Sequence, residues 1–139
     1  MHSYGRGALG YRAVEVATGI ATANSIQLTQ MLFDGLVESL NAAKGHVRHG
    51  SMEEKARALS RAGRILGGLQ EGLDFQRGGE LAKNLNELYL YVSRRLVHVN
   101  AYNDVGALEE ICSLMSEIRV AWKSLDGLVP QRVAELMIA

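Results

Sequence analysis

The sequence predicts an all-α protein: an antiparallel up-down-up-down four-helix bundle with a flexible N-terminal arm. Three observations carry that expectation. Four segments repeat apolar residues at 3.6-residue spacing, the mark of amphipathic helices. The only proline, Pro130, follows the last of them, so no helix interior loses a backbone donor. The breaks between segments are a few residues long, which forces successive helices to lie side by side and antiparallel. The chain accordingly divides into an arm at residues 1–23, a bundle at 24–127 and a tail at 128–139.

The first helix is predicted over 25–49, with Leu28, Met31, Leu32, Leu36, Leu40, Ala43 and Val47 facing inward and Gly50 ending it. Asn24 and Gln27 resemble a capping box at its start. Ser51 and Glu54 make another before a helix over 52–74, whose inner face is Leu59, Ala62, Leu66, Leu69 and Leu73. Residues 75–79 form a turn. The third helix, over 79–102, has an apolar seam of Leu81, Leu85, Leu88, Val92, Leu96 and Val99. Asp104 is placed as N-cap of the fourth, over 105–126, which buries Leu108, Ile111, Leu114, Met115, Ile118, Trp122 and Leu125. Gly5, Gly7, Gly10 and Gly19 make the arm too pliable for a long helix, although Tyr11, Val14, Val16 and Ile20 punctuate it with apolar surface. The tail carries Val129, Val133, Leu136 and Met137, enough to dock weakly or fray.

Composition restricts function. With 139 residues and 47% hydrophobic content the chain is one domain long and can bury one substantial core. Fifteen basic and fifteen acidic residues give no net charge, hence no global field to gather nucleic acid or an anionic membrane. The lone Cys112 suits a reducing compartment, and cytoplasmic localisation is expected. No apolar run approaches the roughly 20 residues that span a bilayer, so membrane insertion is not expected.

Candidate chemistries reduce to structural roles. His46 and His49 share a helix face without a carboxylate or thiol to complete a metal site. Glu53/Glu54 and Glu109/Glu110 sit in first helical turns, where negative charge is favoured. Gly78 and Gly79 lack the lysine and strand of a phosphate-binding loop. Arg57, Arg61 and Arg64 line one helix face, but neighbouring acids suggest solvation. No serine or cysteine has a partnered histidine. We therefore expect no catalytic residue, no metal, no cofactor and no enzyme.

What survives is surplus apolar surface. On the third helix Leu90, Val97 and Ala101 lie roughly 160 to 200° from Leu81 on the wheel, where a bundle helix carries charge. On the first, Ile26, Phe33 and Val37 widen the apolar arc beyond its core stripe. The alternative for Phe33 and Val37 is a wide core face against a bulky neighbour. Read as a surface, these six residues predict a groove for an amphipathic or extended apolar peptide. The arm, through Tyr11 and Val14, is the expected cap of that groove in the free protein.

Several stretches then resemble one family in order and spacing: Gln30-Met31-Leu32-Phe33-Asp34-Gly35; Leu73-Asp74-Phe75; Gly78-Gly79-Glu80-Leu81-Ala82-Lys83-Asn84-Leu85; Leu88-Tyr89-Leu90-Tyr91; Arg95-Leu96; Asn100; Asn103-Asp104; and Ala121-Trp122. Together, over about residues 11–122, they resemble the flagellar secretion chaperones, the FliS family. Tyr11 takes the place of the family's N-terminal tyrosine, and Ser25-Ile26 stands where many members have a proline. The resemblance implies a cytosolic bundle that binds the disordered C-terminal segment of flagellin, prevents premature polymerisation and hands it to the flagellar type III export apparatus. It also implies an arm that occupies part of the client surface, and two further partners, an export gate component and the flagellar anti-sigma factor. A monomer or weak homodimer is expected. Two rivals stay open: a bundle whose stripe is a dimer interface, and a nucleic-acid binder using the Arg57, Arg61 and Arg64 face, which would show a steep salt dependence.

Overall fold

The computed structural model describes residues 21–125, with side chains from Gln27 to Ser124. Tyr11, Val14 and the tail at 128–139 lie outside the described residues, and Ile26 is placed by its backbone alone. Four helices follow one another: α1 Ala21–Arg48, α2 Met52–Glu71, α3 Phe75–Tyr102 and α4 Val105–Leu125. Each packs against its neighbours in a closed ring, α1 on α2, α2 on α3, α3 on α4 and α4 on α1, with the most extensive contact between α1 and α2. This is the antiparallel four-helix bundle, all-α in its described residues. The core is continuous, with Leu36, Leu40, Leu66, Val92, Val99, Leu108, Ile111 and Met115 fully buried.

Local chemistry sets the ends of the helices. After α1, Gly50 adopts φ +73, and the chain closes with Ser51 N–H donating to His46 O at 2.8 Å and Gly50 N–H to Val47 O at 3.1 Å. This pair of hydrogen bonds satisfies the last carbonyls and needs a left-handed residue, which glycine supplies without strain. Two capping expectations are corrected. Helix α1 begins at Ala21, so Asn24 is inside it, and Ser51 stands before α2 without a side-chain capping bond. Asp104 does cap α4, its Oδ1 accepting from Ala107 N–H at 3.0 Å.

The start of α3 also differs from expectation. Asp74 accepts from the N–H groups of Gln76 and Arg77 at 3.1 and 3.0 Å, and so starts one helical turn. Gly79, at φ 52 and ψ −127, then kinks the chain before the helix continues. Within α3 the buried positions are Ala82, Tyr89, Val92, Leu96 and Val99. Leu81, expected inside, is 43% exposed. Met31 of α1 was likewise expected inside and is 64% exposed.

At the end of the bundle where α2 begins and α3 stops, Lys55 is only 5% exposed. Its Nζ donates to Asn100 O at 3.0 Å and to Asn103 Oδ1 at 2.6 Å. A cation from the first turn of α2 thus meets the negative end of the α3 dipole. Asn103, at φ 53, holds the left-handed position that closes α3 through its N–H to Val99 O. Next to it, His98 Nε2 lies 2.9 Å from Asp104 Oδ2. That hydrogen bond, and then the Ala107 N–H, hold the Asp104 carboxyl below its ordinary range.

Replacing Lys55 with Ala should lower stability by about 2 kcal/mol, because bonds to a charged donor are lost at a buried site. Asn103→Gly preserves the left-handed backbone, so combining the two changes should cost less than the sum in urea unfolding. For Asp104 the depressed folded pKa makes its contribution present above the unfolded carboxylate pKa of about 4 and lost as pH falls through the folded value. Asp104→Ala should therefore lower the melting temperature at neutral pH, with a difference that shrinks in acid.

Candidate functional site

Two apolar surfaces stand out, and α3 contributes to both. The first is the stripe of Leu90, Val97 and Ala101, all exposed, with Val97 at 71%. Spacings of seven and four residues keep the three on one face, over about 16 Å of helix. Val97 also lines a groove of about 340 Å³ between α2 and α3, whose opposite wall is formed by Ala56, Ser60 and Gly63. Those small residues leave the space that a larger α2 side chain would fill. An incoming apolar side chain could reach helix backbone there.

The second is an apolar cavity of about 230 Å³ at the end of the bundle where α1 begins and α4 stops. All four helices wall it: Leu32 and Phe33 from α1, Gly68 and Leu69 from α2, Leu81, Leu85 and Tyr89 from α3, Ile118 and Trp122 from α4. Phe33 and Trp122 form its floor, ring centroids 5.9 Å apart and tilted by 51°, a favoured aromatic geometry. Burial pushes the Tyr89 phenol well above its ordinary pKa, so it stays neutral. Leu81 forms part of the wall while remaining exposed, and Phe75 is exposed one turn before the Gly79 kink. The kink thus rephases the start of α3 and puts apolar surface at the cavity rim.

The six surface residues expected from sequence do not form one groove. Leu90, Val97 and Ala101 come together. Phe33 and Val37 do not belong with them: they are 1% and 5% exposed and part of the core. The physical reason is that α1 packs on both α2 and α4, so its buried arc is wide. Phe33 still reaches the end cavity as floor. The Ile26 side chain, Tyr11 and Val14 lie outside the described residues. Leu81, Leu85 and Tyr89 were not singled out as site residues, since a wheel shows which face a residue takes but not where four helix ends leave a gap.

The polar groups singled out by sequence are engaged structurally. Arg57 pairs with Glu53 and Glu54 at 3.5 and 3.6 Å. Glu109 pairs with Arg48, and Glu110 with Arg95 and the Tyr91 hydroxyl. His49 Nδ1 lies 2.8 Å from Gly45 O. Among the described residues no three of His, Cys, Asp and Glu cluster as a metal site. Among them, too, no helix is long and apolar enough to cross a membrane.

The profile of a family described as Flagellar protein FliS matches residues 8–128. The chain belongs to the FliS family. The flagellar secretion chaperone FliS of Salmonella typhimurium is 42% identical over 121 residues, covering 86% of this chain and 90% of that protein. The flagellar secretion chaperone FliSB of Pseudomonas aeruginosa is 38% identical, covering 84% and 92%. The Bacillus subtilis FliS is 34% identical, covering 75% and 77%. The family match over residues 8–128 spans all four helices and both apolar surfaces.

The division between core and surface has a direct check. Phe33→Ala should cost about 3 to 5 kcal/mol in urea unfolding. Val97→Ala and Leu90→Ala should each stay within about 0.5 kcal/mol of the parent.

Proposed function

We propose that this FliS protein is a flagellar export chaperone that acts in the cytoplasm. It binds the disordered C-terminal segment of flagellin, prevents premature polymerisation and hands the client to the flagellar type III secretion apparatus. The observation that carries this reading is the exposed Leu90, Val97 and Ala101 stripe on α3, in a chain whose relatives are named as flagellar secretion chaperones. A soluble bundle exposes a connected apolar strip when another polypeptide covers it.

The physical logic is that of folding on a surface. Client residues that repeat at helical spacing cover the stripe, and a large side chain enters the end cavity against Phe33 and Trp122, as anchor residues do in packed interfaces. Ordering a disordered segment costs roughly 2 to 5 kcal/mol of the gross interaction energy. The complex is thereby specific yet releasable, without nucleotide hydrolysis or any catalytic chemistry. In the free protein the arm covers part of the same surface through Tyr11 and Val14, with Ile26 continuing the apolar path at the start of α1. An export gate component and the flagellar anti-sigma factor are further partners in this reading, and the protein is a monomer or weak homodimer.

Titration calorimetry against a flagellin C-terminal peptide tests the proposal. One-to-one binding with a large negative heat-capacity change is expected. Leu90→Asp with Val97→Asp should weaken it at least about 100-fold, since two buried apolar contacts become desolvated charges, while helicity and unfolding cooperativity persist. Removing residues 1–22 should tighten binding if the arm competes for the surface; an unchanged affinity contradicts the capping role.

A further inference from the structure

The α1–α2 groove lies on the flank of α2 that faces α1, apart from the α3 stripe, and has a different chemistry. We infer that it is a second docking site, built for an acidic amphipathic helix. Leu28, Leu32 and Ile65 give it an apolar floor of about 490 Å³ together with Gly35, and Met31 stands at its edge, 64% exposed. A flexible, polarisable thioether at such an edge adapts to the side chains laid against it. The other wall carries Arg61 and Arg64, one turn apart on α2.

The two arginines differ in how they are held: Arg61 is paired with Glu38, whereas Arg64 is the cation left to a partner. Arg61 is fixed: its Nη1 donates to Ser39 Oγ at 2.6 Å and to Gly35 O at 3.3 Å, with Glu38 at 3.4 Å. Gly35 makes this possible, because a Cβ there would lie 3.3 Å from the guanidinium and 3.2 Å from Ile65. Arg64 is bonded to the Ser60 hydroxyl of its own helix at 3.2 Å. Among the described residues no carboxylate lies within ion-pair reach of it. The groove therefore combines an apolar floor with two cations and one carboxylate, on a chain of zero net charge.

This combination selects the occupant. A polyphosphate backbone would match the arginines but leave the apolar floor and Met31 uncovered. A second copy of the chain, meeting through a two-fold axis, would set the same arginines against each other. An amphipathic helix with carboxylates along one flank satisfies both parts. From Leu28 to Gly35 the groove is about 10 Å long, which suits about two turns of helix with apolar residues at i, i+4 and i+7. Leu32 also walls the end cavity, so the two sites adjoin there while sharing no residue of the Leu90–Ala101 stripe.

The test uses the full-length protein and a fluorescein-labelled amphipathic helical peptide with Leu at i, i+4 and i+7 and Glu on one flank, against the same peptide with Lys for Glu. Anisotropy should show the Glu peptide binding about tenfold tighter than the Lys peptide, and weakening as salt is raised. Arg64→Glu should reverse that preference, and Met31→Asp should weaken the Glu peptide; both positions are exposed, and circular dichroism checks that helicity is kept. The Leu90→Asp, Val97→Asp protein should bind the Glu peptide as the parent does, which separates this site from flagellin binding. Equal affinity for the two peptides, no effect of Arg64→Glu or Met31→Asp, loss of binding in the α3 variant, or displacement by a DNA duplex would each overturn the inference.

Discussion

Helix α1 lies between α2 and α4 and buries residues toward both, and the distribution of free apolar surface in this bundle follows from that packing. Its wide inner arc takes Phe33, Leu36, Val37, Leu40 and Ala43 out of water. At about 25 cal/mol per Å² such burial is the main favourable term in folding. Helix α3 occupies the opposite place in the ring and packs less extensively on its neighbours. It closes the core with Ala82, Tyr89, Val92, Leu96 and Val99 and keeps Leu81, Leu90 and Val97 exposed. The helix that packs least extensively on its neighbours is thus the one with most apolar surface to offer a partner.

The two ends of the bundle complement this asymmetry. One is locked by polar chemistry: Lys55 on the carbonyl end of α3, Asn103 in its left-handed turn, and Asp104 joined to His98 while it caps α4. The other ends in a cavity floored by Phe33 and Trp122, with Gly79 breaking α3 two residues before Leu81, which lines it. A rigid closed end and an apolar open end give a platform on which a disordered segment could order without the bundle rearranging. That is the requirement of a chaperone that works by covering its client, with affinity drawn from apolar burial and release favoured by the cost of ordering.

Much of the fold was legible in sequence because helix periodicity is a local signal. The four helices, the Gly50 stop, the Asp104 cap and the inner face of α2 all follow from spacing and turn chemistry. The stripe on α3 was legible for the same reason: Leu90, Val97 and Ala101 oppose a complete seam. What sequence misassigned depended on neighbours. A wheel cannot tell a wide core face from a core face plus a surface, so Phe33 and Val37 looked outward, although α4 covers that side of α1 with Trp122. Leu81 looked inward because the Gly79 kink was not visible in the spacing, and Ala82 and Tyr89 take the buried positions around it. Met31 fitted the apolar period of α1 yet faces the groove beside Arg61 and Arg64. The end cavity had no sequence signal, since it is formed where four helix ends converge.

In the function proposed above, client binding falls on the apolar surfaces left free on α3 and at the open end, with the core unchanged. Methyl NMR of the labelled protein, with and without an unlabelled flagellin C-terminal peptide, tests it most directly. Shifts are expected at Leu81, Leu85, Leu90 and Val97, with Leu40, Val92 and Leu108 holding their positions. Shifts confined to faces away from α3 and the open end, or a general loss of dispersion across the core, would contradict it.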